Sequence, residues 1–158
     1  MRKLLIHKQN TILSNEEYFS KECQFVFNLD YDVSDIDMYI NDQLTSGVLR
    51  DRVNNCDIIF IKIALTYNYL EYSGIRLAYH IRLTQSLKEK RFNPIIFIAE
   101  ESYQFLGITS ELPNILFTEG IYLMRDAPEE LARFLHLYEV GKIKQLKNFA
   151  SFVNRINI

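Results

Sequence analysis

Tryptophan is absent from this chain, cysteine occurs twice, proline three times and glycine five times in 158 residues. Two cysteines, Cys23 and Cys56, are too few for a disulfide framework, which points to a reducing compartment and hence the cytoplasm. The five glycines are scattered, so no Gly-rich loop is available to cradle a phosphate, and no cofactor is expected. No apolar run approaches the roughly 18–20 residues that span a bilayer. The apolar start, Met1–Ile6, runs directly into His7-Lys-Gln-Asn10, unlike a signal peptide. A net charge of −2 leaves no broad basic surface for nucleic acid. His7, His80 and His136 lack metal-ligand spacing with one another or with the cysteines. Neither cysteine sits in a catalytic-thiol signature.

What remains is a globular composition, 48% hydrophobic with aromatics supplied by Tyr and Phe, in a length suited to one domain. Two continuous apolar, β-branched runs, Asp57–Leu65 and Pro94–Ala99, read as strands buried on both faces, the pattern of a parallel sheet covered by helices. Lys3–His7, Gln24–Leu29 and Gly120–Met124 complete a set of five.

Helical patterns fall between the strands. Ser34 caps an expected helix carrying Ile36, Tyr39, Ile40, Leu44, Val48 and Leu49, with Asp35 and Asp37 favouring its first turn. Ser73 opens another, with Ile75, Leu77, Ala78, Ile81 and Leu83 on its apolar face and Lys88–Arg91 at its basic end. Pro128, Glu129 and Glu130 mark the start of a last helix. A short helix is expected within Asn10–Lys21, and a loop over Glu100–Leu112. Alternating strands and helices call for right-handed crossovers and a three-layer α/β/α domain, five-stranded and parallel, of flavodoxin-like topology. Ligands then sit at the carboxyl ends of the strands.

Three stretches carry a family resemblance over roughly residues 1–140. They are Asp57-Ile-Ile-Phe-Ile-Lys-Ile63 with Gly74–Arg82, Pro94-Ile-Ile-Phe-Ile-Ala-Glu100, and Gly120-Ile-Tyr-Leu-Met-Arg125. The chain resembles the receiver domain of bacterial two-component response regulators. That resemblance implies an acidic pair after the first strand to hold magnesium, and a phosphate-accepting carboxylate on the third. It also implies a hydroxyl on the fourth strand and a lysine on the fifth. Here the first strand ends in His7 and Lys8, the acceptor position reads Lys62, the hydroxyl position Ile98 and the lysine position Arg125. Lys62 has no acceptor oxygen, and magnesium demands hard oxygen ligands. The implied reading is a degenerate receiver with no catalytic residues and no bound metal. Its Lys62 is expected to snorkel to solvent or to pair with Glu100 or Asp126.

Two further features suggest surfaces. Thr66-Tyr-Asn-Tyr-Leu-Glu-Tyr72 sets Tyr67, Tyr69 and Tyr72 at the rim of the pocket, and such tyrosines suit either an interface or a lid on the sheet. After Gly141, residues 141–158 read as an amphipathic helical extension to the 1–140 domain. Ile143, Leu146, Phe149, Ala150, Val153 and Ile156 line one stripe, with Lys142, Lys144 and Lys147 mostly opposite. The expected role is a protein-interaction module, joined to a protein partner or a second copy through this helix, without nucleic acid or membrane. The rival classes are a small metal-dependent enzyme using Asp30, Asp32 and Glu100 at the strand ends, and the N-terminal sensor module of a longer regulator.

Overall fold

The structure, a computed structural model, describes residues 2–8, 23, 25–29, 36–62, 73–87, 92–99, 120–125 and 127–145. Five strands form one sheet: β1 (Lys3–Lys8), β2 (Phe25–Leu29), β3 (Ile58–Lys62), β4 (Ile95–Ala99) and β5 (Ile121–Arg125). Their spatial order is β2-β1-β3-β4-β5, and every pairing is parallel. The β-branched runs therefore occupy the centre of the sheet, where both faces are covered.

Alternation divides the strand residues between two cores. Leu4, Ile6, Ile59, Ile61, Ile95, Phe97, Ile121 and Leu123 face α1 (Ile36–Thr45), α2 (Val48–Asn54) and α3 (Ser73–Leu87). Leu5, Ile58, Phe60, Ile96, Ile98, Tyr122 and Met124 face α4 (Pro128–Glu139), which contributes Leu131, Phe134 and Leu137. Phe60 meets Phe134 edge to face at 5.3 Å, a pairing worth about 0.5–1.5 kcal/mol beyond the area it buries.

The helix expected to run from Ser34 past Leu49 is instead two helices. Gly47, with extended backbone at φ −93° and ψ −177°, ends the continuity between α1 and α2. A Cβ there would lie 2.9 Å from the Cα of Gln43, so the tight join needs glycine. The α3 apolar face also differs from expectation. It continues from Ala78 to Arg82 and Gln85, both buried, while Leu83 is only half-buried.

Helix α4 starts as its sequence indicates, with Pro128 in the first turn followed by Glu129 and Glu130. It ends in a Schellman turn. Gly141 adopts φ +72°, its N–H donates to Tyr138 O and the Lys142 N–H donates to Leu137 O. This reversal leads into a single 3₁₀ turn, Ile143–Gln145, and packs Ile143 against the α4-side core. Ser34, Asp35, Asn10–Lys21, Lys88–Arg91 and Glu100–Leu112 lie outside the described residues. No helix among the described residues is long and apolar enough to cross a membrane.

Candidate functional site

Parallel strands bring their carboxyl ends to one edge, and that edge collects the positions singled out in the sequence. Lys62 pairs with Ile98, and Ile98 with Met124, so β3, β4 and β5 present one row of three. Ile6 pairs with Ile61, so the next residue of β1, His7, continues the row beside Lys62. Lys8 follows as the last residue of β1. The row thus has a basic half on β1 and β3 and an apolar half on β4 and β5.

Arg125 does not join this row. It pairs with Ala99, lies one residue beyond Met124 on the opposite side of the pleat, and is exposed, with Nη2 donating to Glu129 Oε1 at 3.4 Å. Its side chain is 64% exposed, so the ion pair contributes little. Met124, only 4% exposed, stands in the row instead. Strand alternation carries the signal for this: Tyr122 and Met124 alternate with Leu123 and Arg125, and only the first pair faces α4.

Lys62 is also not a snorkelling side chain. It is 5% exposed, as enclosed as the apolar residues around it, and it engages a neighbour. Ile98 is 2% exposed. Glu100, Asp126, Asp30 and Asp32 lie outside the described residues, as do Tyr67, Tyr69, Tyr72, Leu146, Phe149, Val153 and Ile156. No cluster of His, Cys, Asp or Glu able to hold a metal occurs among the described residues. The receiver resemblance implies magnesium, and the described residues at this edge do not fit it. His7, Lys8, Lys62, Ile98 and Met124 offer no carboxylate oxygen, and an ammonium repels a divalent cation.

Two polar groupings lie away from this edge. At the opposite end of the sheet Arg82 is fully buried. Its Nη1 donates to Gln85 Oε1 at 3.1 Å, its Nη2 donates to Gly120 O at 3.3 Å, and the guanidinium lies 4.8 Å from the Phe92 ring centroid. Burial pushes its pKa down to about 10, so it is still protonated at neutral pH. Gln85 passes the network to Asn93, which donates to Cys56 O at 2.6 Å. Cys56 itself is inert: burial first, and the nearby Asp57 charge second, push its thiol up to about 12. Neither cysteine is in a disulfide, and both are buried.

The second grouping joins α1 to α3. Arg76 donates to both carboxylate oxygens of Asp37, with Nε at 3.2 Å from Oδ1, and His80 Nε2 lies 3.2 Å from the same Oδ1. Burial raises the Asp37 pKa, but the Arg76 and His80 bonds outweigh it and leave the net value lowered. Arg76 and His80 are far from Asp37 in sequence, and no local pattern announces the contact.

Comparison with known proteins agrees with the geometry. The family described as "Inactive Receiver domain" matches residues 7–124, most of the chain. Among solved structures, the chain is similar to a point mutant of the receiver domain of the histidine kinase CKI1 from Arabidopsis thaliana. The TM-score is 0.50 at 16% identity, covering 88% of this chain and 90% of that one. At that identity the likeness shows the fold alone. No curated protein matches the chain in sequence.

Proposed function

Because the chain belongs to the family of inactive receiver domains, we propose that it is a phosphorylation-independent signalling module that acts by presenting protein-binding surfaces. One observation carries this reading: the row Lys62–Ile98–Met124. Phosphoryl transfer to a receiver needs a carboxylate acceptor, a metal to neutralise the developing charge, and donors for the bound phosphoryl oxygens. An ammonium, an isoleucine and a methionine supply none of the first two. The β4 and β5 positions, buried and apolar, supply no donor either.

With that chemistry gone, what the domain offers is surface. The stripe Ile143, Leu146, Phe149, Val153 and Ile156 is the proposed contact for a protein partner or a second copy, and Tyr67, Tyr69 and Tyr72 are a second proposed contact. Nucleic acid and membrane have no part in it. Two buried thiols outside any disulfide suit a reducing, cytoplasmic setting.

Adding Mg²⁺ with beryllofluoride, a phosphoryl mimic, to the full chain tests the reading. The amide NMR spectrum is expected to stay unchanged. Specific shifts at the ends of β3, β4 and β5 would overturn phosphorylation independence.

A further inference from the structure

Helix α3 carries apolar side chains on more than one side. Ile75, Leu77, Ala78 and Ile81 are buried, whereas Tyr79 and Leu83 are only half-buried. Successive helical residues lie about 100° apart. Turning α3 by about that angle would bring Tyr79 and Leu83 into the core beside Ile75 and carry Leu77 and Ile81 out of it. Burial of apolar area is not directional, so it separates these two phases weakly. Hydrogen bonds are directional, and the buried face of α3 holds a chain of them.

That chain starts at Arg82 and Gln85, both buried. Arg82 donates to Gln85 Oε1 at 3.1 Å and to Gly120 O at 3.3 Å. Gln85 Nε2 donates to Asn93 Oδ1 at 2.9 Å, and Asn93 Nδ2 donates to Cys56 O at 2.6 Å. Cys56, Asn93 and Gly120 stand just before β3, β4 and β5. The helix is therefore pinned to the entry of three strands at once. A turn that admits Leu83 carries Gln85 out of the core and Arg82 away from the Gly120 carbonyl.

Stability is not what this chain is best placed to supply. Among the described residues no carboxylate pairs with Arg82, and its Nε is buried without a partner. Burial itself works against the charge and lowers the pKa to about 10. A buried charge on such terms adds little net stability, but polar groups of this kind can set register.

We propose that the Arg82–Gln85–Asn93 network is a phase lock, which fixes the rotation of α3 about its own axis. The lock thereby decides which side chains α3 turns outward, and it keeps Arg76 and His80 in reach of Asp37 on α1. It needs no ligand or partner, so it stands or falls separately from phosphorylation independence.

The test is the amide NMR spectrum of the full chain carrying Arg82→Met and Asn93→Ala. Arg82→Met keeps an apolar stem, and the pair together removes both partners of Gln85 without adding a preference for the native phase. A second set of peaks, or broadening, is expected across Ser73–Leu87. Adding Gln85→Leu makes the native face apolar and should return one sharp set. A network that merely stabilises the fold would instead lower the urea midpoint and leave one sharp set throughout. One sharp set in the double variant overturns the proposal, and so does a second set that Gln85→Leu fails to remove. Should the double variant not fold, Asn93→Ala alone decides, because it leaves the sequence of α3 intact. Broadening over the last turns of α3 is then expected, and a sharp, unperturbed helix would overturn the lock.

Discussion

A guanidinium with no exposed surface, Arg82, has a part in this fold that the sequence pattern does not advertise. Charged groups are rarely buried completely, and this one is held by Gln85 and the Gly120 carbonyl with Phe92 against its face. Through Gln85 and Asn93 it ties α3 to the segments that open β3, β4 and β5. Arg82→Ala should destabilise the domain by roughly 3–4 kcal/mol, the sum of a cavity and stranded acceptors. Arg82→Met keeps the packing of the stem and should cost less, roughly 1–3 kcal/mol. Urea unfolding midpoints would measure both, and an unchanged midpoint for Arg82→Met would mean that desolvation of the guanidinium cancels its bonds. The position was legible in part: Ile75, Ala78, Arg82 and Gln85 share one helical stripe, but polarity makes Leu83 the more obvious core residue. Alternation likewise sets Arg125 outside the register row in which Met124 stands. Side-chain class is visible in a sequence, whereas the face it serves depends on a phase that one residue reverses.

Strands were the most legible elements, since Ile58–Lys62 and Ile95–Ala99 are unbroken apolar runs whose partners hardly matter to their recognition. Helix boundaries were less so, because α1 and α2 share a period and only the contact with Gln43 reveals why Gly47 must interrupt it. Gly47→Ala would press its Cβ to 2.9 Å from a backbone atom and is expected to cost roughly 1–2 kcal/mol, read as a lower thermal midpoint. The join between α1 and α3 is electrostatic and depends on pH. Asp37 has a folded pKa below its ordinary 3.8. Its ion pair therefore adds stability that is fully present above that value and disappears as pH falls through the folded pKa. The carboxylate is 45% exposed, so screening limits the contribution. Asp37→Asn should lower stability at pH 7 by roughly 0.5–1 kcal/mol, and the difference from the wild type should vanish in strong acid. Urea midpoints for both proteins at each pH give the comparison. An equal gap in acid would assign the effect to packing rather than charge.

At the scale of the whole molecule, the proposed independence from phosphorylation turns attention to how the domain is joined to something else. The Schellman turn at Gly141 sends the chain back, and Ile143 packs onto the α4-side core. The apolar stripe therefore begins on the domain's own flank. Beyond Gln145 its residues Leu146, Phe149, Val153 and Ile156 recur at helical spacing, but two heptads in isolation are marginal as a helix. Such a stripe gains stability by burial, at roughly 1.5–3 kcal/mol for each large apolar side chain. If a second copy supplies that burial, light scattering of the full chain should give a dimer mass, and the double variant Phe149→Lys, Val153→Lys should give a monomer mass. In that case the fold should survive in the variant, and its urea midpoint measured as a monomer should be close to that of the wild type. A monomer in both proteins with a lower midpoint in the variant would instead place the stripe against its own domain. A monomer in both with equal midpoints would leave the stripe without an intramolecular or self-association role, and would point to a protein partner of a different kind. Only the first result joins two inactive receivers through their tails, and it would make protein concentration, rather than a phosphoryl group, the variable to which this module responds.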